Sequence, residues 1–68
     1  MILEFDNWRD YNIGDYLSVD FGDRIVYGQV YDMVRISVFV PIYHYHLRVK
    51  EVRLIEGADK KLPIIEKG

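Results

Sequence analysis

The residues of this chain best suited to chemistry are His44 and His46. They stand two apart, so on a strand, where successive side chains alternate, both imidazoles leave the same face and can reach one ion. A zinc-type site needs a third and generally a fourth ligand, and the chain has two His and no Cys to supply them. No metal is expected, and the pair reads as polar strand residues facing solvent. Covalent catalysis has as little to work with. The available hydroxyl nucleophiles of this type, Ser18 and Ser37, lie in strand-like runs, and a domain this small leaves little room for a water-excluding pocket with an oriented base. Asp20, Asp23 and Asp32 fall near turns, where capping and solvation account for them. No Gly-rich loop leads into a helix, so nucleotide binding has no support. The expectation is a protein that is not an enzyme, with no catalytic residues, no cofactor and no small-molecule substrate.

The elements that would position any site are strands. Residues 24–40, RIVYGQVYDMVRISVFV, are rich in Val, Ile, Tyr and Phe, whose branched or planar side chains fit a pleated, half-buried surface. The run is read as two adjacent antiparallel strands meeting at Tyr31-Asp32-Met33-Val34. Before it, Leu17, Val19 and Phe21 alternate with Tyr16, Ser18 and Asp20, which predicts a half-buried first strand closed by a turn at Phe21-Gly22-Asp23. Gly28 interrupts the second strand and marks a bend or a close backbone approach. In the third, Ile36, Val38 and Val40 share one face and Arg35, Ser37 and Phe39 the other, and Pro41 ends the pairing. Tyr43, Tyr45 and Leu47 alternate with His44, His46 and Arg48 in a fourth strand. Val49-Lys50-Glu51-Val52 reads as a helical turn before a last strand, Arg53-Leu54-Ile55. The inward set is then Leu17, Val19, Val30, Met33, Ile36, Val38, Val40, Tyr45, Leu47, Val52 and Ile55.

Three segments follow: an N-terminal arm (1–12), a barrel (13–56) and a C-terminal tail (57–68). Ile2, Phe5 and Trp8 make the arm too apolar to stand free in water, while its periodicity leaves helix and strand both open. In the tail, Leu62, Ile64 and Ile65 can dock as an edge strand. With 68 residues, about 60% of the unfolded chain's surface can be buried, so the core is small. Absence of Cys removes disulfides, and no secretory leader is recognisable, which makes a cytoplasmic location the expectation. Apolar runs fall well short of the roughly 20 residues that span a bilayer, and no membrane role is expected.

The order of these pieces resembles an SH3-like small β-barrel of the KOW or Tudor type. Gly14-Asp15 with Leu17 and Val19 is similar to that family's opening, Gly28-Gln29-Val30 with Met33 to its bend into strand two, and Ile36-Ser37-Val38 to its strand three. His46-Leu47-Arg48-Val49 followed by Lys50-Glu51-Val52-Arg53-Leu54-Ile55 resembles its closing strand, helical turn and strand. The resemblance covers residues 13–56 and implies an all-β, five-stranded barrel with a short helical turn before the last strand. It implies RNA or a protein of the transcription or translation machinery as partner for a KOW module, and methylated Lys or Arg for a Tudor module. The connection between strands one and two is short and acidic here, not Gly-rich and basic.

With the inward faces assigned, the outward face carries Tyr16, Tyr27, Gln29, Tyr31, Arg35, Phe39, His44, His46 and Arg48. Tyr and Arg are enriched where interfaces concentrate their energy. The expected protein-binding surface is therefore Tyr27, Tyr31 and Phe39 with Arg35 and Gln29, meeting another protein or a second copy of the chain, as in a small accessory or regulatory factor. The alternative is single-stranded RNA or DNA held by Arg48, Lys50, Arg53, Lys60 and Lys61, with the aromatics as stacking platforms. Charge divides the two. Residues 1–32 carry seven acids against Arg9 and Arg24, and residues 33–68 carry seven bases against four acids, leaving a net charge of −2 that disfavours phosphate contacts.

Overall fold

The reversal expected at Tyr31–Val34 does not occur: Ile25–Phe39 runs as one strand of 15 residues, β3. The structure, a computed structural model, describes residues 1–53 and 62–67. None of Tyr31, Asp32, Met33 and Val34 is a Gly or Pro that would favour a tight turn, and their β-forming neighbours keep the backbone extended. The chain reverses instead at Val40-Pro41, joined by a cis peptide bond, and returns as β4 (Ile42–Glu51). Three shorter strands complete the sheet: β1 (Ile2–Asn7), β2 (Tyr16–Asp20) and β5 (Ile64–Glu66). Their spatial order is β1-β4-β3-β2-β5, antiparallel except for the parallel pairing of β5 on β2.

The all-β, five-stranded fold expected from the sequence is present as a curled sheet forming a half-barrel, but the short helical turn is not. The inward alternation of Tyr43, Tyr45 and Leu47 continues to the buried Val49, so period two carries β4 through the segment expected to be helical. Lys50 and Glu51 pair with Gln29 and Gly28. Of the expected last strand, Arg53 lies outside any strand, while Leu54 and Ile55 fall outside the described residues. Residues 2–7 of the N-terminal arm form the edge strand β1, and Ile64 and Ile65 of the tail form the expected edge strand at the other side.

A β-bulge decides which side chains face the core. Val30 pairs with Val49, but the next pair is Asp32 with Arg48, leaving Tyr31 as the extra residue. One extra residue moves every later side chain to the opposite face. Beyond Tyr31 the inward positions are therefore Met33, Arg35 and Ser37, opposite Leu47, Tyr45 and Tyr43. Ile36, Val38 and Val40, expected in the core, are exposed, whereas Leu17, Val19, Val30, Tyr45 and Leu47 are buried as expected. Met33 and Val52 are half-buried. Leu3, Tyr11, Val49 and Ile65 complete the core.

Two devices hold the curl. At Gly28 an added Cβ would collide with Val49 Cγ1 and lie 3.1 Å from the Lys50 carbonyl, so only glycine lets β3 and β4 approach this closely. Tyr45 fastens the 8–15 connection over the concave face: its hydroxyl donates to the Arg9 carbonyl at 2.7 Å and accepts the Tyr11 amide at 3.3 Å. Phe5, Tyr11 and Tyr45 then pack ring on ring at centroid distances of 5.1–5.6 Å. Such pairs add about 0.5–1.5 kcal/mol each beyond simple burial. The Phe21-Gly22 turn is as expected, with Gly22 at φ +92° and its amide bonded to Asp20 Oδ1.

Candidate functional site

β3 outruns its support. β2 pairs with it only from Ile25 to Gln29, and the Gly14 and Asp15 backbone takes both polar groups of Val30, at 2.8 and 2.9 Å. From Tyr31 to Phe39, among the described residues, β3 is paired only to β4. The distal half of the β3–β4 ribbon is thus flanked by β1 on its β4 side, where β1 pairs Tyr43 to Arg48, and only the tip from Val38 to Ile42 extends beyond β1; among the described residues its β3 edge is unpaired.

That ribbon is apolar where a solvent-exposed ribbon is ordinarily polar. Val34 and Ile36 on the convex face, and Val38, Phe39 and Val40 at the tip, have fractional exposures of 56–76%. Five aliphatic or aromatic side chains exposed to this degree amount to on the order of 500 Å², comparable to the largest patches found on ordinary monomers, which are often functional. Its charged neighbours are already engaged. Arg35 bonds Asp10 at 2.6 Å with its guanidinium over the Tyr43 ring, and Arg48 lies 3.8 Å from Asp32. His44 and His46 do share the convex face, and each is held by a carboxylate on β1, His44 to Asp6 at 2.7 Å and His46 to Glu4 at 3.1 Å. Among the described residues no group of three or more His, Cys, Asp or Glu is placed to hold a metal.

The surface expected from the sequence is not assembled as one patch. Tyr27 and Phe39 lie near opposite ends of the same strand, not on neighbouring strands, because the reversal on which their proximity rested is absent. Tyr27 is half-buried opposite Ser18, Tyr31 is exposed at the bulge, and Phe39 is at the tip opposite Ile42. Arg35 faces the concave side, and the Gln29 amide donates to the Gly14 carbonyl at 3.1 Å. Of the nucleic-acid set, Arg48 and Lys50 lie on the convex face of β4 and Arg53 is exposed beyond it, while Lys60 and Lys61 fall outside the described residues. Glu4, Asp6 and Asp32 are interspersed with Arg48 and Lys50 on that face, so it is mixed in charge rather than a basic track.

Val34, Ile36, Val38 and Val40 are the surface residues that sequence reasoning missed, because polar Arg35 and Ser37 alternate with them and polar positions are ordinarily the outward ones. The available signal was a β-forming run continuing through Tyr31–Val34 with no Gly or Pro and only Asp32 to interrupt it. A second concavity, an open depression of ≈ 320 Å³, is lined by residues including Arg9, Asp10, Tyr11 and Tyr16. Burial pushes the Tyr11 hydroxyl's pKa upward, partly offset by Arg9. Among the described residues no buried side-chain polar atom lacks a hydrogen-bond partner. No helix among them is long and apolar enough to cross a membrane.

No protein-family model, curated protein or solved structure matches the chain.

Proposed function

We propose that this chain is a non-catalytic protein-interaction module whose binding surface is the distal half of the β3–β4 hairpin. The observation that carries the reading is the exposure of Val34, Ile36, Val38, Phe39 and Val40, none of which belongs to the buried core. Burying such side chains contributes up to about 1.5–3 kcal/mol each, so three or four of them anchor a micromolar contact after the costs of association.

The finer architectural reading, an SH3-like barrel of the KOW or Tudor type, belongs to the same proposal. It is supported by the curled β2–β3–β4 meander and by Gly28 at the point of closest approach. Nucleic-acid binding through Arg48, Lys50 and Arg53 is the weaker reading, since the acids beside Arg48 and Lys50 oppose phosphate.

The test is capture from native cell lysate, with and without nuclease, using the wild-type chain and an Ile36→Thr/Phe39→Ser variant as baits. Threonine keeps β-branching at position 36, so the isolated fold is expected to persist by circular dichroism. The expected result is a nuclease-resistant partner, an untagged copy of the chain included, that the variant loses. Equal capture by both baits, or capture that vanishes with nuclease, overturns the reading.

A further inference from the structure

The free edge of β3 suggests an occupant. We infer that the distal β3 edge pairs antiparallel with the same edge of a second copy of this chain, across a two-fold axis at Ile36. This rests on the interaction-module reading above and names the partner.

Open strand edges are ordinarily protected by brevity, by Pro or by unpaired charge. The sheet's two outer strands conform by brevity: β5 has three residues and β1 six. Among the described residues, the edge of β3 from Tyr31 to Phe39 has no such protection. It contains no Pro, Gly or Lys, and its two charged side chains, Asp32 and Arg35, are turned to partners in their own chain. Among the described residues no strand pairs on that side; the Met33 amide there donates to Asp32 Oδ1 at 2.9 Å, and β-branched Val34, Ile36 and Val38 suit a new ladder along the rest.

The segment is also self-complementary in one register. In an antiparallel pair, residues directly opposite share a face. Centring the two-fold on Ile36 sets Ile36 against Ile36 of the second copy, Val34 against Val38 and Arg35 against Ser37. A shift of the centre to Arg35 would oppose two guanidinium groups, and a shift to Val34 would set the Asp32 carboxylate against Ile36. The two register shifts in the β3–β4 pairing, near Tyr31 and near Val38, bound the segment that can pair in this way. Side-chain packing favours the same occupant: edge pairing sets Val34, Ile36 and Val38 of one copy beside Val38, Ile36 and Val34 of the other, and so covers the flanks of an apolar surface on the order of 500 Å² in each copy. A two-fold contact is closed, so it ends at a dimer of two half-barrels joined through one continuous sheet.

A residue on the axis faces itself, and this supplies the test. The intact chain is studied by sedimentation equilibrium and light scattering from about 1 to 500 µM, as wild type, Ile36→Lys, Ile36→Glu, and an equimolar mixture of the two variants, with circular dichroism on each. The expected wild-type result is reversible association from the 8.1 kDa chain to twice that mass. Each single variant is expected to stay monomeric, its dissociation constant raised on the order of a hundredfold or more by like charges at the axis. The mixture is expected to associate as a heterodimer, because Lys then faces Glu. Dimerisation of wild type that neither variant weakens, or a mixture that stays monomeric while wild type dimerises, overturns the assignment. A wild type that is monomeric throughout also overturns it. If such a monomer still captures a different protein through Ile36 and Phe39, the interaction reading survives with another partner; binding instead to phosphatidylcholine vesicles, or to nothing, removes both.

Discussion

Gly28→Ala is expected to destabilise the domain through one contact. The added methyl enters the space of Val49 Cγ1 at the closest approach of β3 and β4, and the Lys50 carbonyl 3.1 Å away leaves it no room to slide. Overpacking of this kind costs about 1–3 kcal/mol. Against that, alanine restricts the unfolded chain and returns about 0.4–1 kcal/mol where the backbone tolerates it, as it does here because Gly28 is not among the positive-φ glycines. The net loss is therefore about 1–2 kcal/mol out of a total of about 5, which lowers the thermal midpoint by roughly 5–15 °C for a domain of this size. Val49→Ala removes the opposing methyl at its own cost of about 1–3 kcal/mol. If the collision is the cause, the Gly28→Ala/Val49→Ala double variant is more stable than the sum of the two losses implies, by at least about 0.5 kcal/mol. Urea titrations followed by far-ultraviolet circular dichroism measure all four corners of the cycle. A Gly28→Ala variant as stable as wild type, or a strictly additive cycle, refutes the reasoning and with it the role assigned to Gly28 in the curl.

Three further outcomes follow from the geometry. Val30→Asp is expected to abolish folding, because it buries an unpaired carboxylate in the core, whereas Val38→Asp stays within about 0.5 kcal/mol of wild type; equal thermal midpoints would contradict the change of face at Tyr31. Tyr11 bears on alkaline stability. Burial raises its pKa above the unfolded value, so its contribution is complete below pH 10 or so and is lost as pH rises through the folded pKa; Tyr11→Phe is expected to flatten that alkaline loss in urea titrations between about pH 9 and 11, and an unchanged slope counts against it. For nucleic acid, no mobility shift of single-stranded RNA or DNA is expected in about 50 mM KCl, where electrostatic binding is exaggerated. A shift that Arg48→Ala/Arg53→Ala weakens, with a shallower salt dependence, would favour the alternative.

Much of the fold could be read from local pattern because local chemistry decides it. Leu17 and Val19 alternate with Tyr16 and Asp20 in β2, Gly22 takes the positive φ its turn requires, and Tyr43, Tyr45 and Leu47 point inward along β4. What could not be read depends on residues far away in sequence. The bulge at Tyr31 exists only relative to β4, so parity counted along one strand cannot register it and puts Ile36 on the wrong face, while Val38 is the extra residue at the second register shift and Val40 lies in the turn. Arg35 turns inward because Asp10 and Tyr43 receive it there, a pairing across 25 residues in the first case. Tyr11 enters the core because the Tyr45 hydroxyl holds its amide across 34 residues. The candidate surface was half legible for the same reason: Phe39 was recognised as outward, but its neighbours on the ribbon were not.

Amide hydrogen exchange over residues 31–39 tests the central claim most directly, because it asks whether that edge is open in the free chain and closed in the bound one. In the isolated chain at about 1 µM, amides of this segment directed away from β4 are expected to exchange at nearly unprotected rates while those of Leu47 and Val49 are protected. Addition of the bound partner, or concentration of the chain if the partner is a second copy, is expected to slow them. Strong protection of every amide from Tyr31 to Phe39 in the dilute monomer would mean that the chain covers this edge itself, and would contradict the account.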